Sequence, residues 1–225
     1  MNFSKQEILR TKADGTNEKS ELFLLNEHNL QININGKKWT SLVCTNTNLT
    51  ELVTGHLLSS GLIKNKEEIR RLQFTESQDK ADIYIQEEKK DPLKRLNSPV
   101  CEGEWIFSLI SEFSKESTIH KYTSGSHSCI LARQGKALFV AEDIGRHCAL
   151  DKAIGYMILN DIPREGSMIF TSGRVALDMV EKVIRAGIGI LISKSVPTIQ
   201  ALALAKEYGL KIFFRAWPDS FDYIE

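Results

Sequence analysis

The chain has 225 residues, of which 42% are hydrophobic and 26% are charged, so its composition is that of a globular protein with one large domain or two modest ones. Its 29 basic and 29 acidic residues balance, so no overall positive field favours nucleic acid, and no apolar run is long enough to span a membrane. Four scattered cysteines without a CxxC pair, behind an N-terminus that lacks an apolar leader, predict a reduced, cytoplasmic protein.

The first half of the chain predicts short strands around one helix. We expect the polar first twenty residues to be frayed. Alternating apolar residues on both sides of Asn35-Gly36 predict a hairpin, because both residues tolerate positive φ. The stretch NLTELVTGHLLSSGLI predicts a helix that is capped by Asn48 and ends at Gly61, with His56 as a satisfied core histidine. Strand-like runs follow at IRRLQF and ADIYIQ.

A charged stretch with two prolines, QEEKKDPLKRLNSPV, is predicted to be a linker or mobile loop between the two halves. Apolar residues at helical spacing resume at Trp105, and HSCILARQGKALFVAED predicts a hairpin that turns at Gln134-Gly135. Helices are then predicted over 148–160, 174–186 and 197–208, alternating with the apolar strands SMIFT, IGILIS and KIFFRA. This alternation implies a parallel sheet covered by helices on both faces.

Polar residues and cations gather at three strand-to-helix junctions: EDIGRH, TSGR and SKSVPT. The carboxyl ends of parallel strands meet at one edge of a sheet, where helix N-termini offer backbone donors to anions. Each junction alone is better explained as a capped turn. Because Arg146, Arg174 and Lys194 each add a cation, the three together predict a site for a phosphate or pyrophosphate ligand. The standard phosphate loops GxxxxGK[ST] and GxGxxG are absent, as are the HxE and PCxxC motifs of zinc deaminases.

The segments EDIGRHCALDKAIG, TSGRVALDMVEKVIRAGI and SKSVPTIQALALAKEYGL resemble, in order and spacing, the formate dehydrogenase accessory family of sulfur carriers (FdhD/NarQ). TSGSHSC is similar to the family's glycine-histidine segment, and LVCTNTNLTELVTGHLLSSGLI matches a family helix more loosely. The resemblance implies a cytidine-deaminase-like three-layer α/β domain with a mixed or parallel sheet over residues 96–225, without zinc chemistry. A small N-terminal α+β subdomain over residues 1–95 is expected to precede it.

The resemblance also implies a function. A homodimer would pass persulfide sulfur from a cysteine desulfurase to the molybdenum bis(molybdopterin guanine dinucleotide) cofactor, before the formate dehydrogenase apoprotein receives that cofactor. A guanine nucleotide should mimic the cofactor, and no resident metal, nucleic acid or membrane partner is expected. The cofactor-binding residues that it implies are His127, Asp143, Gly145, Arg146, His147, Ser172, Gly173, Arg174, Lys194, Ser195, Phe214, Arg215, Ala216, Trp217, Pro218 and Asp219.

Cys101 is the candidate catalytic residue, as a persulfide carrier of sulfurtransferase type. In NSPVCEGEW it occupies the place of the first thiol of the family's CGxCG-type loop, and Glu104 occupies the place of the second. Glu102 and Glu104 predict a thiol that is mostly protonated near neutral pH. The surrounding Asn97, Ser98, Pro99 and Gly103 predict that it lies in a mobile, exposed loop. Cys101 as an incidental, inert loop thiol stays open as an alternative. Two alternatives stay open: a chaperone that binds a guanine nucleotide or pterin cofactor without sulfur transfer, and an interaction protein of deaminase ancestry.

Other residues admit structural interpretations. Cys44 and Cys129 lie in strand-like runs and are interpreted as small core residues. Cys148 starts a helix, a position that lowers the pKa of a thiol, although a packing role is equally compatible. The segment FFRAWPDSF stands where the family has a glycine-rich cofactor-binding segment, and its Trp217 is either a core aromatic or a stacking surface for guanine.

Overall fold

The computed structural model describes residues 3–86, 91–97, 99–116 and 118–224. Within these ranges the chain forms three sheets and six helices. The strands are β1 (Phe3–Thr11), β2 (Asn17–Leu25), β3 (His28–Ile34), β4 (Lys37–Cys44), β5 (Ile69–Phe74), β6 (Lys80–Ile85), β7 (His127–Arg133), β8 (Lys136–Asp143), β9 (Ser167–Thr171), β10 (Ile190–Ser193), β11 (Lys211–Trp217) and β12 (Ser220–Tyr223). The helices are α1 (Leu49–Ser59), α2 (Gly103–Glu116), α3 (Thr118–Thr123), α4 (Arg146–Leu159), α5 (Leu177–Arg185) and α6 (Ile199–Tyr208).

Strands β1 and β2 form an antiparallel hairpin, so the expectation of a frayed N-terminus is not met from residue 3 onward. Charged side chains pair across this hairpin, as Lys5 does with Glu21 at 2.6 Å. The Phe3 ring stacks 6.1 Å from the ring of Tyr122 in α3. Cross-strand ion pairs and an aromatic anchor stabilise a hairpin without giving it an apolar period, and the sequence pattern therefore missed it.

The second sheet has the order β4-β3-β6-β5 and lies beside α1. Its β3–β4 turn is the predicted one, since Asn35 and Gly36 have φ of 48° and 80°. Helix α1 begins directly after Asn48, as predicted, but Asn48 is left-handed with φ 51° and makes no side-chain cap bond. Gly61, with φ 78°, follows the end of the helix.

The third sheet has the order β12-β11-β10-β9-β7-β8. Strands β9, β10 and β11 are parallel, as predicted, whereas β7, β8 and β12 pair antiparallel, so the sheet is mixed. The predicted hairpin turn at Gln134-Gly135 is confirmed. Helices α5 and α6 begin two or three residues later than predicted and α4 two residues earlier, because polar turns occupy the junctions.

Helix α2 covers one face of the six-stranded sheet, and α4, α5 and α6 cover the other. The larger core continues past α4 into α1 and the four-stranded sheet, so the two regions share one hydrophobic core. Glycines let the backbones of α1 and α4 come into contact: a Cβ at Gly55 would lie 1.8 Å from the Asp151 carbonyl oxygen, and one at Gly155 would lie 1.8 Å from that of Glu51. The domain boundary at residues 95 and 96 stays a prediction. In the described part of the chain, no helix is long and apolar enough to cross a membrane.

Candidate functional site

The strand directions bring the three predicted junctions to one edge of the six-stranded sheet. Strands β8 and β9 both run antiparallel to β7, and β10 and β11 follow the direction of β9. The ends of β8, β9, β10 and β11 therefore lie at the same edge as the start of β7 at His127. We call this the carboxyl edge, and the first, second and third junctions on it are residues 142–147, 171–174 and 193–198.

The three junctions share one local device. In each, the side chain of the last strand residue accepts a hydrogen bond from the amide two positions further on. Asp143 Oδ1 accepts from the Gly145 amide at 3.1 Å, and Thr171 Oγ1 accepts from the Gly173 amide at 3.1 Å. In the third junction the Ser195 amide donates to the strand-end hydroxyl at 2.9 Å. These amides are already bonded, so they are not the backbone donors that the sequence suggested for an anion.

The second junction is joined to both of its neighbours. Ser172 Oγ lies 3.2 Å from His127 Nδ1 and accepts from the Ser128 amide at 3.1 Å. The Gly173 carbonyl accepts a hydrogen bond from Ser193 Oγ at 2.8 Å. Ser172 and Gly173 therefore hold the start of β7 and the end of β10 in register with this junction.

Arg146 crosses the second junction. A Cβ at Gly173 would lie 3.0 Å from Arg146 Cβ and 3.1 Å from its Cδ, so glycine leaves the room that the arginine stem occupies. The Nε of Arg146 is buried and has no hydrogen-bond partner among the described residues. A buried donor without an acceptor is costly, particularly on a charged group. An anionic ligand at this position would supply the acceptor.

His147 follows Arg146 in sequence, and Arg174 ends the second junction at the same edge. His147 Nε2 lies 3.3 Å from Asp178 Oδ2. Burial lowers the pKa of His147; Asp178 opposes this, and the Arg146 charge adds a smaller lowering effect. His147 is therefore a neutral hydrogen-bonding group near pH 7. Arg174 is exposed, and no ion pair involves it within the described ranges.

The carboxylate of Asp143 is bonded within the protein. Its carboxylate is fully buried and accepts from the Thr45 amide at 3.1 Å and from the Thr45 hydroxyl at 3.2 Å, besides Gly145. The ammonium of Lys152, also fully buried, lies 2.7 Å away. Asp143 thus connects the first junction to Thr45 in the N-terminal region. Through its bond to the Gly145 amide it also fixes the backbone directly before Arg146.

A second buried charge cluster lies between α1, α4 and α5, and the sequence reasoning missed it. Asp151 receives hydrogen bonds from Ser59 Oγ at 2.7 Å and Lys182 Nζ at 2.6 Å, and His56 Nδ1 lies 2.7 Å from it. Burial would raise the pKa of Asp151, but Lys182 and His56 more than offset this and lower it below its usual range. His56 is thus a satisfied histidine, as interpreted. The signal for this cluster was the pair Asp151-Lys152 inside an otherwise apolar helix.

The cation of the third junction lies against α2. Lys194 Nζ lies 4.6 Å from the centroid of the Phe113 ring in α2, and burial lowers the pKa of Lys194. This contact turns Lys194 toward α2. The third junction is nevertheless close to the end of β11, because the Arg215 amide donates to the Ser195 carbonyl at 3.2 Å.

The C-terminal segment supplies one exposed aromatic at the carboxyl edge. Phe214 and Ala216 are packed into the two core clusters, and Arg215 pairs with Asp222 at 3.3 Å. Trp217 is 47% exposed at the end of β11, directly before the exposed turn residues Pro218 and Asp219. Of this segment, Trp217 is the side chain with a free face for stacking.

Cys101 lies at the opposite, amino edge of the sheet. It is half-buried and lines a cavity of about 830 Å³ together with Lys211, the first residue of β11. Two residues earlier, Pro99 Cβ lies 2.8 Å from where a Cβ at Gly189 would be, just before β10. At about 3.3 Å per residue, the five residues of β9 separate the two edges by roughly 16 Å. The thiol and the junctions are therefore at opposite edges of the sheet.

The surroundings of Cys101 keep its thiol protonated. Burial raises the pKa of Cys101 to about 11; Glu102 adds to the rise and Lys211 opposes it. A protonated thiol was predicted from the flanking glutamates, but burial is the larger cause. Burial also raises the pKa of Cys148, whose Sγ donates to the Val43 carbonyl at 3.6 Å, so the expected acidifying effect of its helix start does not prevail. Cys44 and Cys129 are buried core residues, as interpreted.

Fold and geometry thus describe an α/β protein with a candidate anion site at one sheet edge and a single half-buried thiol at the other. In the described ranges, no group of three or more His, Cys, Asp or Glu residues could hold a metal ion. The chain matches the FdhD/NarQ family over residues 25–102 and 87–223, two overlapping segments that both include Cys101. It belongs to that family.

Individual relatives agree with this assignment. The chain is 30% identical over 212 residues to the sulfur carrier protein FdhD of Bacillus licheniformis, covering 82% of this chain and 81% of the relative. It is 30% identical over 226 residues to the protein of the same name from Bacillus subtilis, covering 87% and 86%. A crystal structure of a candidate formate dehydrogenase accessory protein from Desulfotalea psychrophila superimposes with a TM-score of 0.88 at 28% identity, covering 99% of this chain and 96% of that one.

Proposed function

We propose that this chain is a sulfur carrier for formate dehydrogenase maturation. It takes persulfide sulfur from a cysteine desulfurase onto Cys101 and passes it to a molybdenum bis(molybdopterin guanine dinucleotide) cofactor. The names of its relatives and of its structural neighbour support this function. For the cofactor, the supporting observation is the buried Nε of Arg146, which lacks an acceptor among the described residues. A phosphate oxygen is the strong acceptor that suits a guanidinium.

The residues at the carboxyl edge fit such a ligand. The cofactor, when bound, brings pyrophosphates, guanine rings and the metal that accepts sulfur. We assign the phosphates to Arg146 and Arg174, the second of which is an exposed cation at the same edge. We assign a guanine face to Trp217, which is half-exposed there. Guanosine diphosphate should occupy the same places as a mimic.

Sulfur loading needs only the thiol of Cys101 and a donor persulfide. The Cys101 sulfur bonds to the outer sulfur of the donor, and the S–S bond to the donor's own cysteine breaks. That cysteine leaves as a thiolate and takes the proton that Cys101 gives up, so no oxidant or reductant is consumed. Because the pKa of Cys101 is about 11, little of it is thiolate at neutral pH, and loading should be slow without a partner that assists deprotonation.

The same observation favours a second candidate function. A thiol with a pKa of about 11, and with Glu104 where the family has its second cysteine, suits a protein that has lost sulfur transfer. Such a chaperone would hold the cofactor or a guanine nucleotide at the carboxyl edge without covalent chemistry. The sulfur carrier remains the better supported candidate, because the curated relatives carry that name.

Three further features belong to the proposal. The six-stranded sheet between α2 and the layer of α4, α5 and α6 is compatible with a cytidine-deaminase-like fold. A reduced cytoplasmic location is supported by the four free cysteines. A homodimer that delivers the cofactor to the formate dehydrogenase apoprotein is inferred from the family.

The test is persulfide loading of the purified protein by a cysteine desulfurase with cysteine as the sulfur source. Mass spectrometry of proteolytic peptides should find the added sulfur on the peptide that contains Cys101. The buried Cys44, Cys129 and Cys148 serve as internal controls and should stay unmodified. Cys101→Ser should abolish loading and leave guanosine diphosphate binding intact, as calorimetry would measure.

A cell that lacks its own sulfur carrier for formate dehydrogenase distinguishes the two candidate functions. The wild-type chain should restore formate dehydrogenase activity, and Cys101→Ser should not. Full restoration by the serine variant would overturn the sulfur carrier and establish the chaperone. If the wild-type chain does not bind guanosine diphosphate, both candidate functions are contradicted.

A further inference from the structure

A cationic cavity of about 560 Å³ lies at the amino edge, away from the three junctions. It is next to the loop that carries Cys101, which we call the thiol loop. Pro99 and Val100, which directly precede Cys101, form part of its wall. Of the residues that the structure describes, five basic ones line it against two acidic ones, Asp91 and Glu165, although the whole chain has no net charge. The basic residues are Lys64, Lys94, Arg95, Arg164 and Arg185.

Two of these cations are half-buried and unpaired with any carboxylate in the described ranges. Arg164 donates to the Lys64 carbonyl, and Arg185 donates to the Asp91 carbonyl. Both arginines are held over glycines, since a Cβ at Gly61 would lie 2.6 Å from Arg185 Nη1. Burial lowers the pKa of Arg164. Backbone carbonyls satisfy the donors without neutralising the charge, so the cavity keeps an excess of positive charge.

The positive charges are spread along the cavity instead of converging on one point. Lys64 and Lys94 both lie 3.5 Å from carboxylate oxygens of Asp91. Arg95 is held at the end of α6 by the Glu207 carbonyl at 2.6 Å. Spread cations suit an extended ligand with several separate negative charges better than a single phosphate group.

The neighbouring helix ends point to the same class of ligand. Residues of the C-terminal ends of α1 and α5 line the cavity, and such ends carry partial negative charge. Phosphates favour the amide donors of helix N-termini, whereas α1 and α5 present their C-terminal ends here. The amides of an acidic peptide can donate to carbonyls while its carboxylates meet the cations. A volume of 560 Å³ suits a short segment of such a peptide.

We propose that this cationic cavity receives an acidic segment of the protein that donates sulfur to Cys101, a proposal that rests on the sulfur-carrier function above. Docking there would bring the donor's persulfide to the thiol loop, because Pro99 and Val100 join the cavity wall to Cys101. It would also leave the carboxyl edge free for the cofactor. Electrostatic docking of this kind acts mainly on the rate of association and on specificity.

The test reverses two exposed charges of the cavity in Lys64→Glu/Lys94→Glu, whose side chains are 58% and 72% exposed. The matched control, Lys19→Glu/Lys38→Glu, makes the same charge change at exposed positions outside the cavity. The measurement is the rate of persulfide loading on Cys101 by a cysteine desulfurase, divided by the rate with a small-molecule persulfide. We expect this ratio to fall about tenfold in the cavity variant and to change little in the control. For the wild type, the ratio should be lower in added salt than without it.

An equal fall in both variants would mean a general charge effect and would overturn the docking site, as would no fall in either. A wild-type chain that neither persulfide donor loads would instead contradict the proposed function. Direct binding supplies a second readout. Calorimetry should detect a hexaglutamate peptide binding to the wild type and the control more tightly than to the cavity variant. Inorganic pyrophosphate binding at the cavity, with no binding of hexaglutamate, would overturn the proposal in favour of a small-anion site.

Discussion

Replacing Asp143 separates a structural role of the first junction from a ligand-binding one. Its carboxylate and the Lys152 ammonium are 2.7 Å apart and both fully buried. Asp143→Asn keeps the shape of the side chain but leaves the Lys152 charge without its counterion. Removing one partner of a buried ion pair costs about 3–5 kcal/mol. For a chain of this size each kcal/mol lowers Tm by about 2–4 °C, so we expect a fall of roughly 6–20 °C.

Thermal and urea unfolding at pH 7 would measure this loss. Asp161→Asn is the matched control: its carboxylate also pairs with a lysine, Lys66 at 2.5 Å, but is 75% exposed, so it should cost at most about 1 kcal/mol. The double variant Asp143→Asn/Lys152→Met removes both buried charges and should recover a large part of the lost stability.

Ligand binding completes this comparison. Measured well below Tm, the affinity for guanosine diphosphate should fall less in Asp143→Asn than in Arg146→Ala, because Arg146, unlike Asp143, offers an unpaired donor. The reasoning is refuted if Asp143→Asn loses less than about 1 kcal/mol of stability and yet abolishes binding. The carboxylate would then contact the ligand itself.

Arg174→Ala should weaken guanosine diphosphate binding by roughly tenfold, because it removes a charge-assisted contact to phosphate, and an unchanged calorimetric affinity would remove Arg174 from the site. The loading rate of Cys101 should rise about tenfold per pH unit between roughly pH 7 and 10, since its pKa of about 11 lies above that range; a plateau near about pH 8.5 would mean an ordinary exposed thiol. Lys211→Gln should slow loading at about pH 8 in a stopped-flow assay, because it removes the cation that lowers the pKa of Cys101. Gly155→Ala should cost more than about 2 kcal/mol in urea unfolding, since the new Cβ would lie 1.8 Å from the Glu51 carbonyl oxygen, and an unaltered midpoint would contradict the backbone contact between α1 and α4.

Local sequence patterns were enough to predict the turns and the parallel strands of this fold. The turns at Asn35-Gly36 and Gln134-Gly135 were predictable because a glycine follows a residue that tolerates positive φ. The parallel strands were predictable because they are buried on both faces and thus continuously apolar. The gathering of the junctions at one edge then followed from strand direction alone.

What the sequence could not supply was the orientation of side chains within that edge. Asp143 and Lys194 belong to the same polar segments as Arg146, yet one is bonded to Thr45 and the other lies over Phe113. Thr45 and Phe113 are both far in sequence from the residues they contact, so no local sequence pattern predicts these contacts. Burial of Cys148 likewise outweighs the effect of its helix start, and that burial depends on packing against a segment over a hundred residues away.

The placement of Cys101 and the three junctions at opposite edges of one sheet has a kinetic consequence. Two macromolecules or ligands can occupy the protein at the same time, because neither covers the other's edge. Arrival of a donor would then not require departure of whatever is held by Arg146, and the order of binding would be random instead of compulsory. Because sulfur is carried covalently on Cys101, the steady-state pattern should still be the parallel lines of a ping-pong mechanism, here with two separate sites, even though neither visitor has to leave before the other arrives.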